Sequence, residues 1–234
     1  MKRLVSLIVV LALTAAACGD SATDSTTSTT VDLAPTATEI LANAAVTMQQ
    51  VETLAFTIDL SGAPITLLGV ELRGAVGEYA APDSSRAVLE AGIGGLTIEL
   101  GTIAIGDVSW VTNPLTGKWD EYTGSRAFNP SIIFDPDLGW LPLLTTDISD
   151  ARLVEPADGD SHIIRGTAAG ARVEVLTAGL VESQPVALEL HIARDTGHVT
   201  LMDFETEGDN GRTRWLLQLS DFGKEVSISP PEVG

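Results

Sequence analysis

Leu54-Ala55-Phe56-Thr57-Ile58-Asp59-Leu60 is the stretch on which the fold turns. Large apolar side chains at 54, 56, 58 and 60 alternate with Ala, Thr and Asp, the mark of a strand with one face buried. Just before it the spacing is different. Thr36-x-x-Glu39 forms a capping box, and Ile40, Leu41, Ala44, Ala45, Met48 and Val51 then recur at helical intervals. This predicts an amphipathic helix over 37–52, and the change of period from 3.6 to 2 predicts that sheet follows it.

Working outward toward the C-terminus, the alternation repeats. Leu68, Val70 and Leu72 face one way, as do Ala87, Leu89 and Ala91, and Leu96, Ile98 and Leu100. Val108 to Trp110 and Trp119 to Tyr122 read as a hairpin around 113–117, so the first half is an antiparallel meander. Glycines at 69, 74, 92 and 101 predict bulges or bends in a strongly curved sheet. Residues 130–148 carry Ile132, Ile133, Phe134, Leu138, Trp140, Leu141, Leu143 and Leu144. Asp135-Pro136 and Pro142 are expected to break this run into two short helices, or a helix and an apolar loop. Strands are expected at 151–154 and 162–167. A helix fits 170–180, although Val173 and Val175 also suit a strand. Val186, Leu188, Leu190 and Ile192 alternate again, and 199–206 meets 212–220 through Asp209-Asn210-Gly211, a tight-hairpin signal. Val226 and Ile228 suggest a last short strand, stopped by Pro230-Pro231. The expectation is an α+β fold: one strongly curved antiparallel sheet of about ten or eleven strands with three helical pieces, in a single domain over 36–234.

The N-terminus is of another kind. Lys2 and Arg3 precede a nearly unbroken apolar run from Leu4 to Leu13, and Ala15-Ala16-Ala17 leads to Cys18, the one cysteine in 234 residues. This is the three-part form of a secretory signal, 1–17, and the small residues ending in Cys resemble a bacterial lipobox. In such signals the cysteine receives a diacylglycerol and becomes the first mature residue. The alternatives are an ordinary secretory signal with a chance cysteine, or a short membrane anchor. The apolar run is shorter than the ~20 residues a spanning helix needs. With Cys18 lipidated no disulfide is possible, so the domain must be held by its core. Residues 18–35 are then the lipidated cysteine and a Ser/Thr-rich tether whose ends lie about 20–25 Å apart as a flexible coil. Two or more acyl chains suffice for stable attachment.

The formal net charge is −19, and it moves to about −21 once Lys2 and Arg3 are removed with the signal. A surface of that sign repels nucleic acid and anionic headgroups, which excludes nucleic-acid binding and makes the lipid the means of membrane attachment. No catalytic constellation is present. His162, His191 and His198 lack metal-ligand spacing, and there is neither a HExxH nor a GxSxG motif. Asp203, Glu205, Glu207 and Asp209 form an acidic ladder without the spacing of a calcium loop; they read as an outward strand face. Asp135-x-Asp137 reads as helix-capping chemistry. The sequence therefore predicts no enzyme, no metal and no cofactor. What it does carry is apolar surface on nearly every strand, which something must cover. Either helices fill the concavity completely, or a lipid takes the remaining space; core positions and pocket linings look the same in sequence.

The order of elements, with a lipobox, a Ser/Thr tether, a helix, a long meander, a Pro-containing helical insert and a final hairpin, resembles the LppX/LprG lipoprotein family of mycobacteria and other actinobacteria. Asp107-Val-Ser-Trp110 with Gly117-Lys-Trp-Asp120 resembles that family's central hairpin. Ile133-Phe-Asp-Pro-Asp-Leu-Gly139, with Leu141 to Ala151, resembles its helical insert, and Leu219 to Val226 with Pro230-Pro231 its C-terminal strand and tail. The resemblance spans about 37–231. It implies a half-barrel with helices packed in its concavity and a hydrophobic cavity for acyl chains. It further implies a monomeric lipoprotein, lipid-anchored on the extracytoplasmic face of the cell membrane, carrying acyl lipids or acylated glycolipids across the envelope, in some members beside a membrane efflux pump. The rival is a structural or accessory lipoprotein with a filled core, partner of an exporter. On the carrier reading the cavity is expected to be lined from the first strands by Leu54, Phe56, Ile58, Leu68, Val70, Leu72, Ala87, Leu89, Ala91, Ile98, Leu100, Val108 and Trp110. The insert would add Ile133, Leu138, Leu141 and Leu144, and the C-terminal half Leu188 and Leu190.

Overall fold

The computed structural model describes residues 34–67, 69–124, 129–135, 138–154 and 159–232. The signal segment, Cys18, the tether up to residue 33 and Leu68 lie outside the described residues.

Helix α1 runs over Ala37–Gln49 and starts as its capping box demands: Thr36 Oγ1 accepts from the Glu39 N–H and the Glu39 carboxylate accepts from the Thr36 N–H. It stops three residues short of the sequence expectation, because the chain turns at Gln50 to enter the sheet. Its buried stripe is Ile40, Leu41, Ala44, Ala45 and Met48. The large members of that stripe each contribute roughly 1.5–3 kcal/mol through burial.

Twelve strands follow in one antiparallel sheet: β1 (Thr53–Gly62), β2 (Ile65–Leu67), β3 (Val70–Ala80), β4 (Ser84–Ile93), β5 (Leu96–Ile105), β6 (Val108–Thr112), β7 (Trp119–Thr123), β8 (Ile148–Leu153), β9 (Ser161–Ala168), β10 (Val186–Ala193), β11 (Val199–Gly208) and β12 (Gly211–Ser220). The order is β7-β6-β5-β4-β3-β1-β12-β11-β10-β9-β8, with β2 on β3. The sheet is large, curved and open, a half-barrel. Two meanders thus meet in its middle, where β1 pairs with β12 from Ala55 opposite Ser220 to Gly62 opposite Thr213.

Three short helical pieces and α1 lie on the concave side. A 3-10 helix spans Pro130–Phe134, α2 spans Trp140–Thr145 and α3 spans Gly170–Leu176. α1 packs on α2 and β8, and the 3-10 helix meets α3 and β4. Pro142 does not break the insert as expected; it occupies the first turn of α2, where a missing N–H costs nothing. Gly139 is required at the sharp corner before α2, since a Cβ there would sit 1.7 Å from the Ile133 carbonyl oxygen. α3 is clamped by Arg172, which is buried and bonds Asp147 at 2.7–2.8 Å while also donating to the Leu138 carbonyl.

Two further expectations are corrected. β3 continues to Ala80, well past Leu72, the last apolar residue the alternation placed in it, because a register shift between Leu72 and Gly74 bends the strand without ending it. Val226 and Ile228 form no strand. β1 already has a partner on each edge, and the tail instead crosses its end: the Gly223 N–H donates to the Thr53 carbonyl, and Thr53 Oγ1 to that of Lys224.

Candidate functional site

Residues paired across strands point to one face, so the register lists the concave surface rung by rung. One rung runs Leu217 (β12), Ile58 (β1), Ala75 (β3), Leu89 (β4) and Leu100 (β5). The next, toward the β3–β4 hairpin, runs Leu219, Phe56, Gly77, Ala87 and Thr102. Beyond it come Leu54, Tyr79, Ser85 and Ala104. The middle of this surface is made of very small residues. Gly77 carries the Phe56 ring directly over it, since a Cβ would meet Phe56 Cζ at 2.6 Å and the Ala87 methyl at 2.7 Å.

The roof over these rungs is thin. It consists of Ser131, Ile132 and Ile133 from the 3-10 helix and of the turn after α3, Leu176 to Leu180. Between roof and sheet lies a cavity of about 70 Å³ with almost wholly apolar walls. Trp215 closes one side, its indole parallel to Phe204 at 5.8 Å and its Nε1–H donating to Thr206 Oγ1 at 2.9 Å.

Several polar side chains border or adjoin the cavity. Asn129 caps the 3-10 helix by accepting the Ser131 N–H at 2.9 Å, and its amide donates to the carbonyls of Asp83 and Gly106 at 3.2 and 3.0 Å. It thereby ties the roof to the β3–β4 and β5–β6 turns. The Ser85 hydroxyl reaches the same Asn129 oxygen only at 3.4 Å. The Tyr79 hydroxyl donates to the Pro82 carbonyl at 3.1 Å; burial, aided by the Asp83 charge, pushes its pKa up to about 12. Thr102 Oγ1 is buried with no hydrogen-bond partner, a condition that costs roughly 1–3 kcal/mol.

Six residues expected to line a cavity do border this one: Phe56, Ile58, Leu72, Ala87, Leu89 and Ile133. Leu54, Val70, Ala91, Leu100 and the half-buried Ile98 share the concave side but are packed into the core. Leu188 and Leu190 belong to the core on β10, in the other half of the sheet; Leu144 and the partly buried Leu141 belong to α2. Val108 and Trp110 point the other way, because it is Val111 that pairs with Thr102 on the inner face and a one-residue offset reverses a strand. Trp110 instead donates to Glu121 across the outer face at 3.1 Å. Leu138 is 44% exposed, held at the surface by the corner before α2. Sequence reasoning missed Ala75 and Tyr79 through the premature end given to β3. It missed Trp215, Leu217 and Leu219 because their place beside β1 follows from a long-range pairing. The outer acidic ladder is neutralised by arginines, Asp203 by Arg214 and Glu207 by Arg212. Among the described residues no group of three or more His, Cys, Asp or Glu is placed to hold a metal ion. No helix among them is long and apolar enough to cross a membrane.

The family described as LppX_LprAFG lipoprotein matches residues 36–228. Among solved structures, LprF from Mycobacterium bovis is similar over 85% of this chain and 97% of its own, with a TM-score of 0.63 at 15% identity. LppX from Mycobacterium tuberculosis is similar over 82% of this chain and 98% of its own, with a TM-score of 0.59 at 17% identity. These likenesses establish a shared fold. No curated protein matches the sequence.

Proposed function

The chain belongs to the LppX_LprAFG lipoprotein family, and from that premise we propose that it is a lipid carrier. It binds acyl lipids or acylated glycolipids in the concavity of its half-barrel and moves them across the cell envelope. Cys18 carries the anchor on the extracytoplasmic face of the cell membrane. The observation that carries this reading is the apolar cavity between the small residues of β3 and β4 and a thin roof. Binding here needs no chemistry: among the described residues the lining holds no carboxylate, Lys, Arg or His. Each buried acyl methylene contributes about 0.8 kcal/mol.

A second reading is favoured by one number. About 70 Å³ is too little for an acyl chain, which suits an accessory lipoprotein with a filled core. On the carrier reading the roof must move outward, and the turn Leu176–Leu180 is the part suited to do so. It makes a short span after the Arg172 clamp, with Ala178 and Gly179 at φ 49° and 77°.

Native mass spectrometry of the mature domain purified from a bacterial host separates the two. The carrier reading expects co-purifying acyl lipid that is lost on delipidation and regained from lipid vesicles. A clean apo mass before and after vesicle exposure overturns it in favour of the filled core.

A further inference from the structure

The sheet wall of the cavity at Ile58, Leu89 and Leu217 is apolar; beside it the lining includes Ser85, Thr102 and Ser131, residues only 3%, 3% and 4% exposed. Three hydroxyls hidden on an apolar wall call for partners. Ser85 has a long bond to Asn129, whose oxygen the Ser131 N–H already occupies, and Thr102 Oγ1 has none.

We infer that Thr102, flanked by Ser85 and Ser131, is a subsite for the neutral carbonyl oxygen of an acyl ester, which holds a lipid with its ester beneath the 3-10 helix and its chain along the Ile58–Leu89–Leu217 rung. The inference rests on the carrier reading and adds the ligand's chemical class and direction. A hydroxyl without an acceptor in the protein donates, and an ester carbonyl is an acceptor that loses far less on leaving water than a charged group does. A carboxylate or phosphate does not suit the place. Among the described residues no Lys, Arg or His borders the cavity to compensate an anion, and burying an uncompensated charge is prohibitive. The titratable group in the described lining, Tyr79, stays protonated far above neutral pH. The overall charge of −19 works against anionic lipids as well.

The test compares methyl palmitate with octadecane, which match in chain length and differ in the ester. Each is delivered from cyclodextrin to the delipidated mature domain, with palmitate at pH 8 as the anionic probe. Wild type should bind methyl palmitate roughly fivefold to tenfold more tightly than octadecane, the worth of one net hydrogen bond. It should bind palmitate no more tightly than octadecane. Thr102→Val should lose the ester preference and keep its octadecane affinity; Thr102→Ser should retain both. The ester carbonyl stretch of bound methyl palmitate should lie at lower frequency in wild type and Thr102→Ser than in Thr102→Val. An ester preference that survives in Thr102→Val, a Thr102→Val that loses octadecane as well, or a wild type that prefers palmitate overturns the subsite while leaving the carrier reading intact. A wild type that binds neither methyl palmitate nor octadecane overturns both.

Discussion

Ala87 and Ala91 carry the same side chain, sit on the same strand and face the same side of the sheet, yet their surroundings differ. Ala91 is fully buried in the packed core, whereas Ala87 borders the void. A void of about 70 Å³ forgoes roughly 1.7 kcal/mol at ~24 cal/mol per Å³. Ala87→Leu should therefore leave the melting temperature unchanged or raise it by a few degrees while abolishing lipid carriage. Ala91→Leu should overpack and lose roughly 1–3 kcal/mol. Thermal melts of both variants, delipidated so that ligand does not contribute, check this; equal losses would mean that the void does not distinguish the two sites. His198 supports a second expectation at this scale. Its ring stacks on Phe222 at 4.1 Å, and burial, only partly opposed by Asp195, lowers its pKa below the ordinary value near 6.5. The folded state then takes up the proton less readily than the unfolded chain. The contribution is present above about pH 6.5 and is lost as pH falls through the folded value. Denaturant titrations between pH 7.5 and 5 should show wild type losing more stability than His198→Gln; parallel curves would count against it.

At the scale of elements, the helices and strands with a clean period could be read directly, because their signal is local: the capping box of α1, the alternation of β1, β4, β10 and the hairpin around Asp209-Asn210. Where reading failed, a non-local condition decided. Val226 and Ile228 alternate like a strand, but no edge of β1 was left for them. Pro142 looks like a breaker, but a corner made possible by Gly139 places it in a first turn. The roof depends on Asn129, which contributes four hydrogen bonds between three segments. The cap that Asn129 gives the 3-10 helix is local, but its grip on Asp83 and Gly106 is not. Asn129→Ala should cost about 2 kcal/mol, at the upper end for a cap because carbonyls are orphaned too. That lowers the melting temperature by roughly 4–8 °C. Amide exchange should rise first over 130–134, and a uniform rise across the sheet would show that the roof is not a separate unit.

At the scale of the molecule, a domain without disulfides carries an acidic outer face, laced with arginine pairs, and a concave side divided in two. Beneath α1 and α2 the core is packed; beneath the 3-10 helix and the α3 turn it is not. Attachment is a separate property, which the proposed reading gives to Cys18. Cys18→Ala should leave the far-UV spectrum and melting temperature of the domain unchanged while moving it from the membrane fraction to the soluble one. A variant that stays in the membrane as unprocessed precursor would make the apolar run of 4–13 the anchor instead.

The sequence by itself determined the class of fold, the helix-then-meander order, the hairpins and, with a single cysteine, the absence of an internal disulfide. Each depends on period, caps or composition, which act over a few residues. Only the tertiary structure decided which apolar residues face a cavity and which are filler. That division follows from β1 closing on β12, from a register shift in β3, from a one-residue offset on β6 and from where short roof elements settle. Apolar side chains are bound inward by the same hydrophobic effect whether they meet another side chain or a void, so their pattern is identical in both cases. Space is a property of what packs against a residue across the molecule, and the chain brings those partners together only when it folds.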